Sequence, residues 1–340
     1  MIAVRIHQFG PADNLVLEEV PEPTPRAGEA LIRVRACALN HLDLWVRNGV
    51  PAYRTPLPHI LGSDIAGEVV EDCGEFKAGD PVILHPVLSC RRCDMCISGR
   101  DNICRNFGIL GAHAPGGYAQ YLAVDSMNLV RKPERLSWAE AASIPLVFLT
   151  AHHMLLERAK LQAGETVAVL AAGSGVGIAA IQIAKLAGAT VVAIAGSDRK
   201  LERARELGAD FCVNYTQPDW GKQVRSFAKG LGPDVVVEHV GEATFPESVR
   251  MMRPGGRLVT CGATTGTDSG FDIRVLFSRE LNVLGSMLGC LRESHRVAEL
   301  FAAGKLKPVV DSVLPLAEAQ AAHKKLEDRA VFGKVVLEIP

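Results

Sequence analysis

Six near-continuous apolar runs, TVAVLAA, TVVAIAG, DFCVNY, DVVVEHV, RLVTCGA and LNVLGSML, follow one another between Thr166 and Leu288. Segments of mostly helical period separate them. Runs that are apolar on both faces suit strands buried from both sides, as in a parallel sheet covered by helices. Parallel neighbours need crossover connections, so this half of the chain is expected to be a doubly wound α/β sheet. The expected helices include Val176 to Leu186, Asp198 to Leu207 closed by Gly208, and a segment after Thr244.

The first 135 or so residues have a different texture, with short alternating segments (AVRIHQF, ALIRVRA, IAGEVVE, DPVILHP, GYAQYLAV) punctuated by Pro and Gly. They predict an irregular β unit. Ser137 followed by Glu140 is a capping box and predicts a helix running towards Lys160. The tail predicts a helix near Glu293 to Ala303, a strand PVVDSVLPL, a helix Ala317 to Asp328 and a last strand GKVVLEI. A chain of 340 residues is long enough for two hydrophobic cores. The expected division is residues 1–147 with 291–340, and residues 148–290.

With 37 basic and 38 acidic residues the net charge is −1, so no global field draws the chain to nucleic acid or an anionic membrane. The opening MIAVRIHQFG alternates like a strand and has no secretory h-region, which makes a cytoplasmic location the default expectation. The most apolar stretch, Thr166 to Gly196, is interrupted by Lys185 and a Gly cluster and is expected to be strands and a helix, not a membrane span.

The first apolar strand runs into Ala172-Gly173-Ser174-Gly175-Val176-Gly177 and then into a helix. Glycines at a strand-to-helix turn let backbone approach a pyrophosphate, whose charge is met by free N–H groups and the helix dipole. Ala172 replaces the first glycine of the usual pattern. The second strand ends at Ala195-Gly196-Ser197, without the acid that would bond a ribose 2′-hydroxyl. With Asp198 taken as a helix cap, Ser197, Arg199 and Lys200 are left to surround a 2′-phosphate. NADPH is therefore favoured, and NADH stays open because Asp198 lies about 20 residues past the turn.

Four of the nine cysteines, Cys90, Cys93, Cys96 and Cys104, form C-x2-C-x2-C-x7-C in a weakly apolar loop. Four thiolates close a tetrahedral site with no position left for chemistry, so one structural zinc is expected. A [4Fe–4S] cluster also takes four thiolates, but the common ferredoxin spacing is absent. Neutral charge disfavours a nucleic-acid zinc module.

Together, the cysteine loop, AAGSGVG and IQIAKLAGA resemble the medium-chain dehydrogenase/reductase family, over essentially the whole chain. The resemblance implies a GroES-like domain followed by a Rossmann domain. In the family's alcohol dehydrogenases a catalytic zinc is held by a Cys before x-x-D, the His of G-H-E and a later Cys or Asp. Here Asn40 stands at the first position, with Asp43 closing N-x-x-D; Gly62-Ser63-Asp64 replaces G-H-E; and the third position falls near Leu146. An amide, a hydroxyl and an aliphatic chain do not make a zinc site. The substitutions resemble the quinone oxidoreductase branch, in which the cysteine loop is less typical. CGATTG, FDIRVLF and LGS are similar to acyl-CoA-reducing relatives.

These features imply hydride transfer to a conjugated carbonyl, because without a Lewis acid nothing stabilises the alkoxide of a simple alcohol. Asn40 and Tyr53 are candidates to polarise the acceptor, with Tyr53 or water as proton donor. Thr150 is expected at the nicotinamide end. Ser63 and Asp64 line the former metal region, where Asp64 can pair with a base. Val240, Gly262 and Lys334 complete the expected cofactor set. Two other readings stay open: a zinc alcohol dehydrogenase with unusual ligands such as Asp64 with Cys37 or His59, and a non-catalytic NADPH-binding protein. The partners expected are a small-molecule substrate and, through the edge strand Leu281 to Leu288, further copies of the chain as a homodimer or homotetramer.

Overall fold

The computed structural model describes residues 1–340, and the chain divides into two compact units, Met1–Leu149 with Gly289–Pro340, and Thr150–Leu288.

The first unit is built on a seven-stranded, mostly antiparallel sheet. Its central strand, Glu29–Ala38, pairs with Asp64–Val69 on one side and Lys334–Glu338 on the other. The register sets Ala38 opposite both Asp64 and Val336. The exit of the central strand thus lies beside the first residues of both neighbours, which brings Asn40, Asp64 and Lys334 to one end of the sheet. Three further strands, Leu15–Glu19, Ile2–Ile6 and His59–Ile60, form a small sheet, and Val87–Leu88 pairs with Gly108–Ile109 at the base of the cysteine loop.

The single helix expected from Ser137 to Lys160 is broken into three pieces. The capping box is present, with Ser137 Oγ accepting from Glu140 N at 3.3 Å and Glu140 Oε2 accepting from Ser137 N at 2.8 Å. That helix, Trp138–Ala142, stops at Ser143, because Pro145 has no N–H to continue it and instead opens the next helix, Pro145–His152. A π-helical turn, His153–Arg158, follows.

In the second unit six strands are all parallel: β1 (Thr166–Val169), β2 (Thr190–Ala195), β3 (Phe211–Asn214), β4 (Val235–Glu238), β5 (Arg257–Thr260) and β6 (Asn282–Gly285). Their order is β3-β2-β1-β4-β5-β6, the doubly wound arrangement, and it reverses beside β1. Ala168, Val192, Ile194, Val236, Leu258 and Val249 are fully buried in its core. All six strands are shorter than their apolar runs. Leu170 to Ala172 belong to the turn after β1, with Ala171 at φ +47°, and β6 covers only four residues of LNVLGSML. Helix Asp198–Glu206 ends as expected, with Gly208 at φ +102° just beyond the Leu207 cap. No helix of the chain is long and apolar enough to cross a membrane.

Candidate functional site

The Asn40, Asp64 and Lys334 side chains meet where the three strands end, and all are buried, at 7%, 0% and 4% exposure. Lys334 Nζ donates to Asn40 Oδ1 at 2.6 Å and to Asp64 Oδ2 at 2.8 Å. Asn40 Nδ2 donates to the same Asp64 oxygen at 2.9 Å, and Leu146 N donates to Asp64 Oδ1 at 2.6 Å. These contacts fix the Asn40 amide with its oxygen on the ammonium and its nitrogen on the carboxylate. The positions that correspond to the three zinc ligands do lie together, but Lys334 brings a fixed cation among them. Lys334, expected among the cofactor-binding residues, is held in this cluster of the first unit.

Asp43 stands behind Asn40. Its Oδ2 accepts from Asn40 N at 2.7 Å and its Oδ1 from Gly62 N at 3.0 Å, so both oxygens brace backbone. Burial pushes its carboxyl up to about 7, against the pull of these hydrogen bonds and of Lys334. Gly62 has φ +102°, and a Cβ there would lie 2.6 Å from both Cys37 Sγ and the Tyr118 ring, so only glycine fits. Ser63 is fully buried and spends its hydroxyl on Leu110 O at 2.6 Å. Tyr53 is half-buried and edge-on to His113, ring centres 6.1 Å apart, and burial raises its phenol above the ordinary value. Cys37 is fully enclosed, and burial pushes its thiol well up.

The metal-ligating residues gather elsewhere. Sulfur atoms of Cys90, Cys93, Cys96 and Cys104 all lie within 4.8 Å of one another. Zn–S bonds of about 2.3 Å give a tetrahedron edges of about 3.8 Å, and the separations here are 3.5 Å (Cys93–Cys96), 3.8 Å (Cys93–Cys104) and 4.0 Å (Cys90–Cys96). The donor set therefore fits one structural zinc. Asp101, inside the same loop, anchors it by accepting from Leu291 N at 3.1 Å and pairing with buried His85 at 3.2 Å. His85 and Ser294 lie 2.7 Å apart. Sequence reasoning missed this anchor, because its members are distant in the chain and share no motif.

In the second unit, the turn Ala172, Gly173, Ser174 leads into helix Gly175–Leu186, which starts with Gly175, Val176 and Gly177. Ser174 caps the helix, its Oγ accepting from Gly177 N at 3.0 Å. A Cβ on Gly177 would stand 2.3 Å from Ala171 O, so this glycine is what lets helix and strand approach. Val240 N donates to Glu238 Oε1 at 2.6 Å and Val240 O accepts from Thr265 N at 2.8 Å, lacing the loops after β4 and β5 together; Gly262 lies in the second of these. Thr150 is buried at the end of this unit's chain.

Asp198 is not the helix cap. Ser197 occupies that position, while Asp198 is the first helical residue and its carboxylate accepts from Asn214 Nδ2 at 3.0 Å. Arg199 is exposed and Lys200 half-buried beside it. Ala195 is 2% exposed, so the first accessible position past β2 is Gly196, where a Cβ would come 2.7 Å from the Tyr215 hydroxyl.

Family models described as alcohol dehydrogenase GroES-like domain and as zinc-binding dehydrogenase match residues 26–134 and 175–303. The crotonyl-CoA carboxylase/reductase of Cereibacter sphaeroides is 31% identical over 359 residues, spanning 95% of this chain and 83% of its own length. A solved structure described as an NAD-dependent alcohol dehydrogenase superposes with a TM-score of 0.97 at 45% identity, covering 100% of both chains. A 2-octenoyl-CoA carboxylase reductase, solved in complex with NADP and 2-octenoyl-CoA, gives a TM-score of 0.90 at 30% identity over 99% of this chain and 87% of its own.

Proposed function

The chain belongs to the zinc-type alcohol dehydrogenase family of NAD(P)-dependent medium-chain dehydrogenases/reductases, and on that premise we propose that it reduces a conjugated carbonyl acceptor with NADPH and without a catalytic zinc. The acceptor class is a quinone, an enone or an enoyl thioester. The observation that carries this reading is the Asn40–Asp64–Lys334 cluster, in which the amide at the first zinc-ligand position is held between a carboxylate and an ammonium.

Gly173, Ser174, Gly175, Val176 and Gly177 would hold the pyrophosphate, and Ser197, Arg199 and Lys200 the 2′-phosphate. Bound there, NADPH supplies the hydride. The chain's own part is electrostatic. Each of Asn40 Nδ2 and Lys334 Nζ has at least one hydrogen beyond those given to Asp64 and Asn40, and these would polarise the acceptor oxygen as charge develops on it. A conjugated acceptor spreads that charge, so donors of this strength suffice; an isolated alkoxide needs a metal. Tyr53 stays protonated through neutral pH and is a proton source for the resulting enolate. Relatives named for crotonyl-CoA and octenoyl-CoA reduction favour the thioester among these acceptors.

The test is an acceptor screen with metal counting. One zinc per chain, NADPH oxidation by a quinone, enone or enoyl-CoA, and no turnover of simple alcohols are expected. Two zinc ions per chain with chelator-sensitive alcohol oxidation would overturn the reading. We further propose that β6 pairs with its counterpart in a second copy. It is an edge strand, Val283 on it is 39% exposed, and Ile273 and Phe277 on the helix before it are both 68% exposed. Light scattering at micromolar concentration should give a dimer or a multiple of one.

A further inference from the structure

The carboxyl end of β4 carries two polar residues, Glu238 as its last residue and His239 directly after it, following the apolar Val235 to Val237. β4 is the neighbour of β1, with Val169 opposite Val237, so residues 238 and 239 emerge beside the glycine turn. Ligands of open parallel sheets bind at this end, at the point where strand order reverses. The two side chains are used differently. Glu238 is fully buried and turned into its own loop, where its carboxylate accepts from Val240 N (2.6 Å), Gly241 N (3.1 Å), Thr244 Oγ1 (2.9 Å) and Ser248 Oγ (2.8 Å). His239, 7% exposed, faces the turn instead, with its Nε2 2.9 Å from Ser174 Oγ.

We propose that His239 is a cofactor-positioning residue that acts through Ser174 on the pyrophosphate. A serine hydroxyl has two lone pairs and one hydrogen. Gly177 N–H occupies one lone pair of Ser174 Oγ. With the Nε2–H tautomer of His239 donating to the other, both acceptor positions are filled, and the hydroxyl hydrogen is left to donate to an anionic oxygen at the helix N-terminus. His239 thereby makes the capping serine an obligate donor towards phosphate. Without it, Ser174 can rotate and present a lone pair to the phosphate, which repels it. The proposal rests on the glycine turn holding the cofactor pyrophosphate.

The test compares His239→Leu, His239→Gln, Ser174→Ala and the double variant Ser174→Ala/His239→Leu with the full-length wild type. Dissociation constants are measured by NADPH fluorescence and, by competition, for adenosine 2′-monophosphate, which lacks the pyrophosphate. One charge-assisted hydrogen bond predicts a rise of about tenfold in the NADPH constant for His239→Leu. The constant for adenosine 2′-monophosphate should stay within about twofold. His239→Gln, whose amide can also donate to Ser174, should restore most of the affinity. The double variant should be no weaker than Ser174→Ala, since both act on one bond. Equal losses for NADPH and adenosine 2′-monophosphate would show a structural role and overturn the proposal, as would wild-type NADPH affinity in His239→Leu. Wild type that binds no NADPH would instead overturn the cofactor reading beneath it.

Discussion

Replacing Lys334 by Met keeps most of the side-chain volume and removes the ammonium, which isolates the part the cation takes in the Asn40–Asp64 cluster. Two donations disappear, at 2.6 Å to Asn40 Oδ1 and 2.8 Å to Asp64 Oδ2, in a place where both charged side chains are at most 5% exposed. Breaking a buried ion pair from one side costs about 3–5 kcal/mol, because the remaining charge is left in the interior. Asp64 keeps donors from Asn40 Nδ2 and Leu146 N, so the lower part of that range, about 3–4 kcal/mol, applies here. For a unit of this size that is a fall in Tm of roughly 6–16 °C. Thermal unfolding followed by circular dichroism, with protein and zinc concentrations held fixed, measures it. Asp64→Asn in the same chain removes the stranded charge, so Asp64→Asn/Lys334→Met should recover more than half of the loss. kcat/KM on the conjugated acceptor should fall in both. A Lys334→Met variant within 2 °C of wild type, or a double variant showing the plain sum of the single losses, would refute the claim that these charges are desolvated and paired.

Changing any of Cys90, Cys93, Cys96 or Cys104 to Ser should lower zinc content and thermal stability while the NADPH constant changes little, because the loop is a staple remote from the glycine turn in sequence; zinc-free wild type from chelator-free purification would contradict this. Gly196→Asp, not a change at buried Ala195, should move preference from NADPH towards NADH by at least about tenfold in kcat/KM, because a carboxylate past β2 repels a 2′-phosphate and bonds a 2′-hydroxyl; the Tyr215 hydroxyl, the mobile end of a partly exposed side chain, must shift to admit it. Asp43 gives a pH signature. Its carboxyl is raised from 3.8 to about 7, so between those values the folded chain binds more protons than the unfolded chain and stability falls as pH rises. Urea midpoints from pH 4 to pH 7.5 should show that decline in wild type and a flatter profile in Asp43→Asn.

The parts of this molecule legible in the sequence are those whose cause is local. Six apolar runs announce parallel strands because their apolar residues fall on both faces instead of alternating, although the edge strand β6 is mostly exposed, and Ser174 to Gly177 follow the first run directly. The cysteine loop is legible because four ligands within fifteen positions need no distant partner. Pro145 is a local signal for the broken helix, since it has no N–H to continue the turn before it. The cap expected at Asp198 falls one residue earlier, at Ser197, and the Asp198 carboxylate accepts from Asn214, sixteen residues away, a partner no local pattern shows. The Lys334 contacts and the His239 contact were not legible. Lys334 is separated from Asp64 by 270 positions, and His239 from Ser174 by 65. Only strand register, Ala38 opposite Asp64 and Val336, or Val169 opposite Val237, brings these residues together.

The same register accounts for the chemistry we propose. The residues just past the central strand and the first residues of Asp64–Val69 and Lys334–Glu338 deliver Asn40, Asp64 and Lys334 to a single point. It holds a carboxylate and an ammonium whose formal charges cancel, with the hydrogens of an amide and an ammonium to spare. Such a site stabilises a partial charge arriving on an acceptor oxygen better than it drives ionisation of an alcohol, since it has no net positive charge to lower the alcohol's pKa. An Asn40→Asp variant sharpens the point. A second carboxylate against Asp64 should slow reduction of a conjugated acceptor by removing a donor from the oxygen, and it should do so more in kcat than in KM if Asn40 acts on the developing charge.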